Sequence, residues 1–173
     1  MLNLREIHKP TTLEDAIKFL RQPDTVAMAG GTQLIADQKK NIRAVVDLSA
    51  LGLSYIRERD GAMIFGAMTT LAEVNDSPIV RAAANGVLAQ AAHRTAASLL
   101  RNQGTVAGTI ISEPNGIFNT ALLALDARIV CVGEKEMDVA LTDFLAMMDH
   151  FTMGGLVTEI IIPAASLTKH TSL

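Results

Sequence analysis

Two glycine-rich stretches carry the clearest chemistry in this chain, because their backbone N–H groups could hold an anion. In the first, Thr25–Ala36, the apolar run Val26–Ala29 leads into Gly30 and Gly31, and a helix is expected to begin at Gln33. The first N–H groups of a helix lack partners within it, and the helix dipole attracts an anion such as a diphosphate. The same pattern also occurs in proteins that bind nothing, so an ordinary strand–turn–helix connection remains the alternative.

The second stretch, Asn102–Gly116, is rich in glycine and turn residues and is predicted as one long loop. A loop of this length inside a compact domain is usually functional or mobile. Neither a P-loop nor a Gly-x-Gly-x-x-Gly fingerprint is present. The chain is therefore expected to bind a phosphorylated compound mainly through its backbone, with any catalytic group supplied by a cofactor.

The side chains themselves suggest no catalytic or metal-binding set. Glu113 and Asp126 could serve as acid and base, but their places in a turn and at a helix end favour solvated or capping carboxylates. Cys131 lies in an apolar run and is interpreted as a buried, unreactive thiol. No serine has a nucleophile-elbow pattern. The four histidines lack metal-ligand spacing and are interpreted as surface or capping residues: His8, His93, His150 and His170.

Composition narrows the class of protein. With 173 residues, of which 49% are hydrophobic, the chain can bury a real core. The net charge is −3, there is no Lys/Arg block and Trp is absent, which disfavours nucleic acid and anionic membranes as partners. No apolar run reaches the roughly 18 residues of a membrane-spanning helix. With no charged-then-apolar leader at Met1 either, we expect a soluble cytoplasmic protein.

The first part of the chain predicts a compact βαβ unit. Thr11–Glu14 has capping-box spacing and opens a helix that should end near Pro23. The strand Val26–Ala29, a helix to about Lys40 and the strand Ala44–Leu48 follow, so the two strands are expected to be parallel.

The second part predicts antiparallel strands with helices between them. Asp60-Gly61 separates two strand-like runs and is a strong signal for a hairpin turn. Thr70–Glu73 repeats the capping-box spacing, and Ser77-Pro78 opens an Ala-rich helical stretch that breaks near Asn85-Gly86 and resumes to about Leu100. Later elements are a helix from about Phe118 to Leu125, a hairpin of Ala127–Val132 and Met137–Leu141, a helix Asp143–Asp149 capped by Thr142, the strand Leu156–Ile162, and a frayed tail over Ala164–Leu173.

Seven short motifs, in this order, resemble the FAD-binding medium subunit of molybdenum hydroxylases of the xanthine dehydrogenase and carbon monoxide dehydrogenase type. They cover about Leu4 to Pro163: Ala29–Leu34, Val46–Leu48, Phe65–Thr70 with Leu71 and Glu73, Leu100–Gly108, Leu122–Ala127, Thr142–Phe144 and Glu159–Pro163. Each motif is weak alone, but seven with the family's order and spacing are specific.

The resemblance implies an α+β, two-lobed FAD-binding fold of the vanillyl-alcohol oxidase type, without the usual C-terminal domain. Its small N-terminal βαβ lobe would span residues 1–52 and its larger lobe 53–163, with 164–173 as a tail. The two glycine stretches would hold the FAD diphosphate from both sides, and Val157 matches a hydrophobic position beside the cofactor. The implied FAD contacts are Ala29, Gly30, Gly31, Thr32, Gln33, Leu34, Thr105, Val106, Ala107, Gly108, Thr109 and Val157.

The resemblance also implies partners and a role. Family members receive electrons through iron–sulfur clusters in a small subunit, from a molybdenum cofactor in a large one, and their flavin reduces NAD or another acceptor. The chain is expected to act only within such a complex. Family subunits continue for roughly another hundred residues after the Ile-Pro strand, and we expect apolar surface left by that domain to favour a partner or homo-oligomer.

Three positions depart from the family pattern. Ala107 replaces the first glycine of Thr-Ile-Gly-Gly-Asn, and Ala is unfavourable where a positive φ or close backbone approach is needed. Thr109 replaces the Asn of that motif, and Ile117 replaces an Asp that contacts the nucleotide. These departures favour an alternative, an assembly or binding module that keeps the fold without tight flavin binding. A self-contained enzyme is a third reading, and the missing acid–base set weighs against it.

Overall fold

The structure of the protein is a computed structural model that describes residues 4–32 and 42–169. The predicted helix from Gln33 to about Lys40 lies outside these residues, as do the expected FAD contacts at Gln33 and Leu34. The described chain combines two β-sheets with helices, so the predicted α+β class is confirmed.

The first sheet has three parallel strands, β1 (Glu6–His8), β2 (Thr25–Met28) and β3 (Ala44–Asp47), in the order β1-β3-β2. The predicted parallel pairing of β2 with β3 is confirmed. Strand β1 was not predicted, because three residues with a charged and a polar member give too little alternation to indicate a strand.

Helix α1 (Leu13–Leu20) connects β1 to β2, but its cap lies one residue later than predicted. The Thr12 hydroxyl oxygen accepts a hydrogen bond from the Asp15 amide at 3.2 Å, and the Thr12 hydroxyl donates to the Asp15 carboxylate at 3.0 Å. Two adjacent threonines, each followed three residues later by an acidic residue, offer equivalent capping patterns. The spacing could therefore not distinguish Thr12–Asp15 from Thr11–Glu14.

The second sheet is antiparallel and has the strand order β4-β5-β8-β6-β7. Its strands are β4 (Ile56–Arg59), β5 (Ala62–Gly66), β6 (Arg128–Val132), β7 (Glu136–Ala140) and β8 (Leu156–Ile162). Both predicted hairpins are confirmed. Asp60 and Gly61 have φ values of 54° and 76°, as a tight two-residue turn between twisted strands requires.

Helices cover this sheet and fill the connections between its strands. They are α2 (Leu71–Asp76), α3 (Pro78–Ala82), α4 (Val87–Thr95), α5 (Ser98–Arg101), α6 (Val106–Ser112), α7 (Ile117–Ala124), α8 (Leu141–Ala146) and α9 (Met148–Thr152). The capping box of Thr70 and Glu73 is confirmed, as is Pro78 at the start of α3. The predicted break is confirmed too, since Ala84, Asn85 and Gly86 all have positive φ.

Three predicted elements differ from the structure. The stretch predicted as one loop contains α6, so Asn102–Gly116 is not a continuous loop. The predicted helix Asp143–Asp149 is two helices, and the first begins at Leu141 with Ala140 at its N-cap, so the predicted cap by Thr142 is wrong. The Ala-rich helix ends at Thr95 rather than near Leu100.

The segment after Pro163 is ordered as far as the structure describes it, so the predicted frayed tail is wrong for residues 164–169. Ser166 is 1% exposed, and the Leu167 carbonyl accepts a hydrogen bond from the Ala84 amide at 2.8 Å. The Lys169 ammonium group donates to the Ala124 carbonyl and pairs with the Asp126 carboxylate. These polar contacts hold a segment that has little hydrophobic patterning.

One hydrophobic core joins the two sheets. Ala16 and Val46 from the first part pack in the same buried cluster as Phe65, Phe118 and Ile160 from the second. All strands of the first sheet precede residue 52 in the sequence, and all strands of the second sheet follow it. The segment after Gly52 therefore connects the two sheets. None of the helices described in residues 4–32 and 42–169 is long and apolar enough to span a membrane.

Candidate functional site: the junction of two glycine stretches

The turn after β2 packs directly against the chain that leads into α6. A β-carbon built on Gly30 would lie 1.7 Å from the Gln103 carbonyl oxygen and 3.4 Å from the Gly104 nitrogen. A β-carbon on Gly108 would lie 4.0 Å from that of Ala29. We call residues 29–32 together with 103–109 the loop junction. Both stretches were predicted from their glycines, and the structure brings them together.

Gly31 gives the turn a backbone conformation that favours glycine. Its φ is +72°, in the left-handed region, and the nearest atoms to a β-carbon there belong to the Met28 side chain at 3.8 Å and 3.9 Å. The amides of Gly30 and Gly31 donate no backbone hydrogen bond to another described residue. Two adjacent N–H groups beside a turn of this kind suit an anion.

The corresponding N–H groups at the start of α6 are already bonded within the protein. The Val106 amide donates to the Thr69 carbonyl at 2.8 Å, and the Ala107 amide donates to the Ala67 carbonyl at 3.1 Å. Thr105 caps the helix, because its hydroxyl oxygen accepts the Gly108 amide at 3.2 Å and its carbonyl accepts the next amide at 2.9 Å. A contact from residues 105–109 to a diphosphate would therefore come from hydroxyl groups rather than from these amides.

The Thr109 hydroxyl lies beside the turn at Gly104. Its oxygen lies 4.0 Å from the place of a β-carbon on Gly104, and Gly104 in turn adjoins Gly30. The Thr109 side chain is nearly buried, with the residue 7% exposed. Thr109, where the resemblance implies Asn, thus places a nearly buried hydroxyl group within the loop junction.

Ala107 occupies an ordinary helical position. It lies in α6, is 8% exposed, and is not among the described residues with positive φ. The positive φ that would make Ala unfavourable at this position is therefore absent. The close backbone approach occurs at Gly30, on the other side of the loop junction.

The remaining expected contact, Val157, has its side chain in the core. It is 6% exposed and pairs with Cys131 in the second sheet. The next residue, Thr158, accepts the Ala67 amide at 3.0 Å, and the Ala67 carbonyl accepts the Ala107 amide. The β8 backbone thus supports the start of α6. Ile117, where the family has Asp, is the half-buried first residue of α7.

Gln103 and Gly104 also belong to the site, although the predicted contacts of the second stretch began only at Thr105. The Gly104 amide donates to the Leu100 carbonyl at 2.7 Å, and the Gly104 carbonyl accepts the Leu71 amide at 2.9 Å. A β-carbon on Gly104 would lie 3.2 Å from the Leu100 oxygen, so this turn also favours glycine. Both residues belong to the motif Leu100–Gly108, but no sequence signal indicates that the Gln103 carbonyl contacts Gly30.

The two carboxylates considered as an acid–base pair have different surroundings, and neither belongs to the loop junction. Asp126 accepts hydrogen bonds from the Lys169 ammonium and, at 3.1 Å, the Ser166 hydroxyl, and these bonds lower its pKa. Glu113 is exposed and ends α6. Cys131 is 1% exposed, which confirms the predicted burial, and burial raises the pKa of its thiol to about 11 and so disfavours the reactive thiolate.

Comparison with known proteins identifies the family. The family described as the FAD-binding domain in molybdopterin dehydrogenase matches residues 3–165. The chain is 32% identical over 150 residues to the nicotinate dehydrogenase FAD-subunit of Eubacterium barkeri, covering 80% of this chain and 50% of that protein. It is 30% identical over 169 residues to the carbon monoxide dehydrogenase medium chain of Hydrogenophaga pseudoflava, covering 92% and 58% respectively.

A solved structure shows the same fold. The crystal structure of the Cu,Mo-CO dehydrogenase in its cyanide-inactivated form superposes with a TM-score of 0.84 at 27% identity, covering 94% of this chain and 60% of that one. The chain therefore spans about half to three fifths of the length of the proteins that it matches.

The loop junction fits the cofactor of this family, FAD, at the first glycine stretch. Gly30 and Gly31 present two N–H groups without a described backbone partner, and such groups can donate hydrogen bonds to a diphosphate. The start of α6 packs against this turn, since a β-carbon on Gly108 would lie 4.0 Å from that of Ala29. Together with the match over residues 3–165, this geometry confirms the resemblance read from the motifs: the chain belongs to the family of FAD-binding domains of molybdopterin dehydrogenases.

Proposed function

We propose that this chain is the FAD-binding part of an electron-transfer subunit in an oxidoreductase of the molybdenum hydroxylase type. In the proposed complex an iron–sulfur subunit delivers electrons from a molybdenum-cofactor subunit, and the electrons leave through FAD to NAD or another acceptor. The observation that carries the proposal is the contact of Gly30 with the Gln103 carbonyl, which joins both glycine stretches of the family motif into one site.

Within that site, we infer that backbone groups of Ala29–Thr32 hold the FAD diphosphate. The hydroxyl groups of Thr105 and Thr109 face it from the start of α6, while Val106, Ala107 and Gly108 support the turn through their backbone. Gln33 and Leu34 would complete the contact, and Val157 would adjoin the cofactor from β8. The bound FAD would supply reversible two-electron chemistry, and the chain would supply binding and orientation.

The proposed architecture is a two-lobed fold of the vanillyl-alcohol oxidase type, with FAD between the lobes. The division into residues 1–52 and 53–163 is supported by the two sheets, which fall on either side of it. The loop junction lies where the first sheet's β2 turn meets the chain between α5 and α6 of the second lobe. A cofactor bound there would contact both lobes.

An absorption spectrum of the purified chain, followed by titration with FAD, tests this function. We expect flavin bands in the near-ultraviolet and visible range, or uptake of added FAD close to one molecule per chain. A colourless protein that does not change the fluorescence of added FAD would contradict the proposal.

A second candidate function is an assembly module that keeps the fold without tight flavin binding. One observation favours it: the N–H groups of residues 106–109 are all used within the protein, which leaves fewer donors for a diphosphate. Such a module would bring together the iron–sulfur and molybdenum-cofactor subunits without FAD. Mixing the FAD-free chain with those subunits, and measuring complex mass and acceptor reduction separately, distinguishes the two functions.

A further inference from the structure

Helix α5 leads directly to the Gln103 carbonyl, yet hydrophobic packing does not hold this helix. None of its four residues is buried, and Leu99 and Leu100 are 74% and 48% exposed. A short helix without a buried side chain has little intrinsic stability. Another interaction must therefore fix the position of the chain on which Gly30 rests.

Arg101, the last residue of α5, provides that interaction. Its Nη1 atom donates a hydrogen bond to the His93 carbonyl at 2.9 Å and another to the Ala96 carbonyl. His93 is in the last turn of α4, where helix carbonyls lack partners within the helix. A guanidinium group there satisfies carbonyls and complements the negative end of the helix dipole. Arg101 thus anchors α5 to the end of α4.

Short backbone bonds connect this anchor to the loop junction. The Leu100 carbonyl accepts the Gln103 amide at 3.1 Å and the Gly104 amide at 2.7 Å, which closes a tight turn around Arg101 and Asn102. The Gly104 carbonyl in turn accepts a hydrogen bond from the Leu71 amide. The Gln103 carbonyl that meets Gly30 is therefore fixed relative to the guanidinium group of Arg101.

We propose that Arg101 is a positioning residue for FAD binding. By fixing α5 against α4 it holds the Gln103 carbonyl beneath Gly30, and so sets the direction in which the Gly30 and Gly31 N–H groups point. This inference rests on the proposed function, because the group to be positioned is the FAD diphosphate.

The test compares Arg101→Met with the matched control Arg94→Met in the full chain. Met keeps an unbranched stem but removes every donor. Arg94 lies on α4, is exposed, and makes no ion pair or side-chain hydrogen bond among the described residues. Two quantities are measured: the dissociation constant for FAD and the ³¹P NMR shifts of the diphosphate in bound FAD.

We expect Arg101→Met to raise the FAD dissociation constant about tenfold and to move the ³¹P resonances of bound FAD. Arg94→Met should change neither quantity, and Arg101→Lys should lie between wild type and Arg101→Met because it keeps a charge but loses the planar fork. If Arg101→Met does not fold, Arg101→Lys carries the comparison with a smaller shift in the same direction.

Unchanged ³¹P resonances in the Arg101 variants would overturn the inference, even if the variants were less stable, because a purely structural role would leave the bound diphosphate in its wild-type environment. A wild-type chain that binds no FAD would instead overturn the proposed function and this inference with it. The two failures are therefore distinguishable by the wild-type titration.

Discussion

The α-carbon of Gly30 lies against the main-chain carbonyl of Gln103, with no room for a side chain between them. A β-carbon on Gly30 would lie 1.7 Å from the carbonyl oxygen and 2.6 Å from the carbonyl carbon. Both atoms belong to the backbone, so neither can rotate away as a flexible side chain would. This contact makes one site of two glycine stretches that are distant in sequence.

Gly30→Ala should separate the two halves of the loop junction. We expect the free energy of unfolding to fall by about 1–3 kcal/mol, as overpacking of a tight contact does, and FAD binding to weaken markedly. Urea denaturation of the FAD-free protein and FAD titration measure the two effects. Gly133→Ala is the matched control, because its β-carbon would have only ordinary contacts beyond 3.7 Å. Wild-type behaviour of Gly30→Ala would show that the contact is unimportant.

Ala107→Gly restores the glycine that the family pattern has at this position. Because Ala107 lies in α6 without a positive φ, we expect no gain in FAD affinity and a loss of about 0.5–1 kcal/mol in the free energy of unfolding, the usual cost of Gly in a helix. Chemical denaturation and FAD titration again give both values. FAD binding about tenfold tighter than wild type would show that the Ala methyl group obstructs the cofactor.

Thr105→Val should remove the cap of α6 while keeping the shape of the side chain. Thr105 is 3% exposed, and its hydroxyl oxygen is the acceptor for the Gly108 amide. Loss of such a cap costs about 0.5–2 kcal/mol, and we expect a fall of this size in the free energy of unfolding, with weaker FAD binding. Thr105→Ser keeps the acceptor and should stay close to wild type. Equal stability of the Val and Ser variants would contradict the capping role.

Glu159 is the centre of a partly buried ionic cluster on the second sheet. Its carboxylate accepts hydrogen bonds from the Tyr55 hydroxyl at 2.7 Å, from Arg57 at 2.5 Å and from Arg59 at 3.1 Å. Burial raises the pKa of Glu159, but these hydrogen bonds and the arginine charges together lower it below its ordinary value of 4.5. The charged carboxylate therefore stabilises the folded state.

The sign of this shift predicts an acid-sensitive contribution to stability. The contribution is fully present above the ordinary pKa of 4.5 and is lost as the pH falls through the lower pKa of the folded state. Glu159→Gln should lower the free energy of unfolding at neutral pH and flatten its decline in acid. Denaturation as a function of pH tests this, with exposed Glu58→Gln as control. An identical acid profile in wild type and Glu159→Gln would contradict the assignment.

Local signals in the sequence were sufficient for elements whose geometry depends on neighbouring residues. Asp60-Gly61 specified a hairpin because both positions need positive φ, and Thr70 with Glu73 specified a helix start because the two side chains bond each other's backbone. The family could also be recognised from the sequence, since its motifs occur in the expected order over most of the chain.

Features that depend on contacts between distant segments were not predictable. Glycine and turn residues around Thr105 suggested a loop. In the structure Val106 and Ala107 begin a helix, and their amides donate hydrogen bonds to the carbonyls of Thr69 and Ala67 in a distant segment. The contact of Gly30 with Gln103 has no sequence signal, because a backbone carbonyl is present at every residue. The segment after Pro163 likewise depends on a contact with a distant residue, because Lys169 pairs with the Asp126 carboxylate.

The central claim, that the FAD diphosphate lies at the turn of Gly30 and Gly31, is tested most directly by comparing Gly31→Asp with Gly31→Asn. The two side chains are nearly the same size, and both types adopt positive φ elsewhere in this chain, at Asp60 and Asn85. Only Asp adds a negative charge at the place proposed for the diphosphate. We predict that FAD titration gives a dissociation constant about a hundredfold higher for Gly31→Asp than for Gly31→Asn. Equal FAD affinity of the two variants would contradict the account, because it would show that no anionic group of the cofactor lies at this turn.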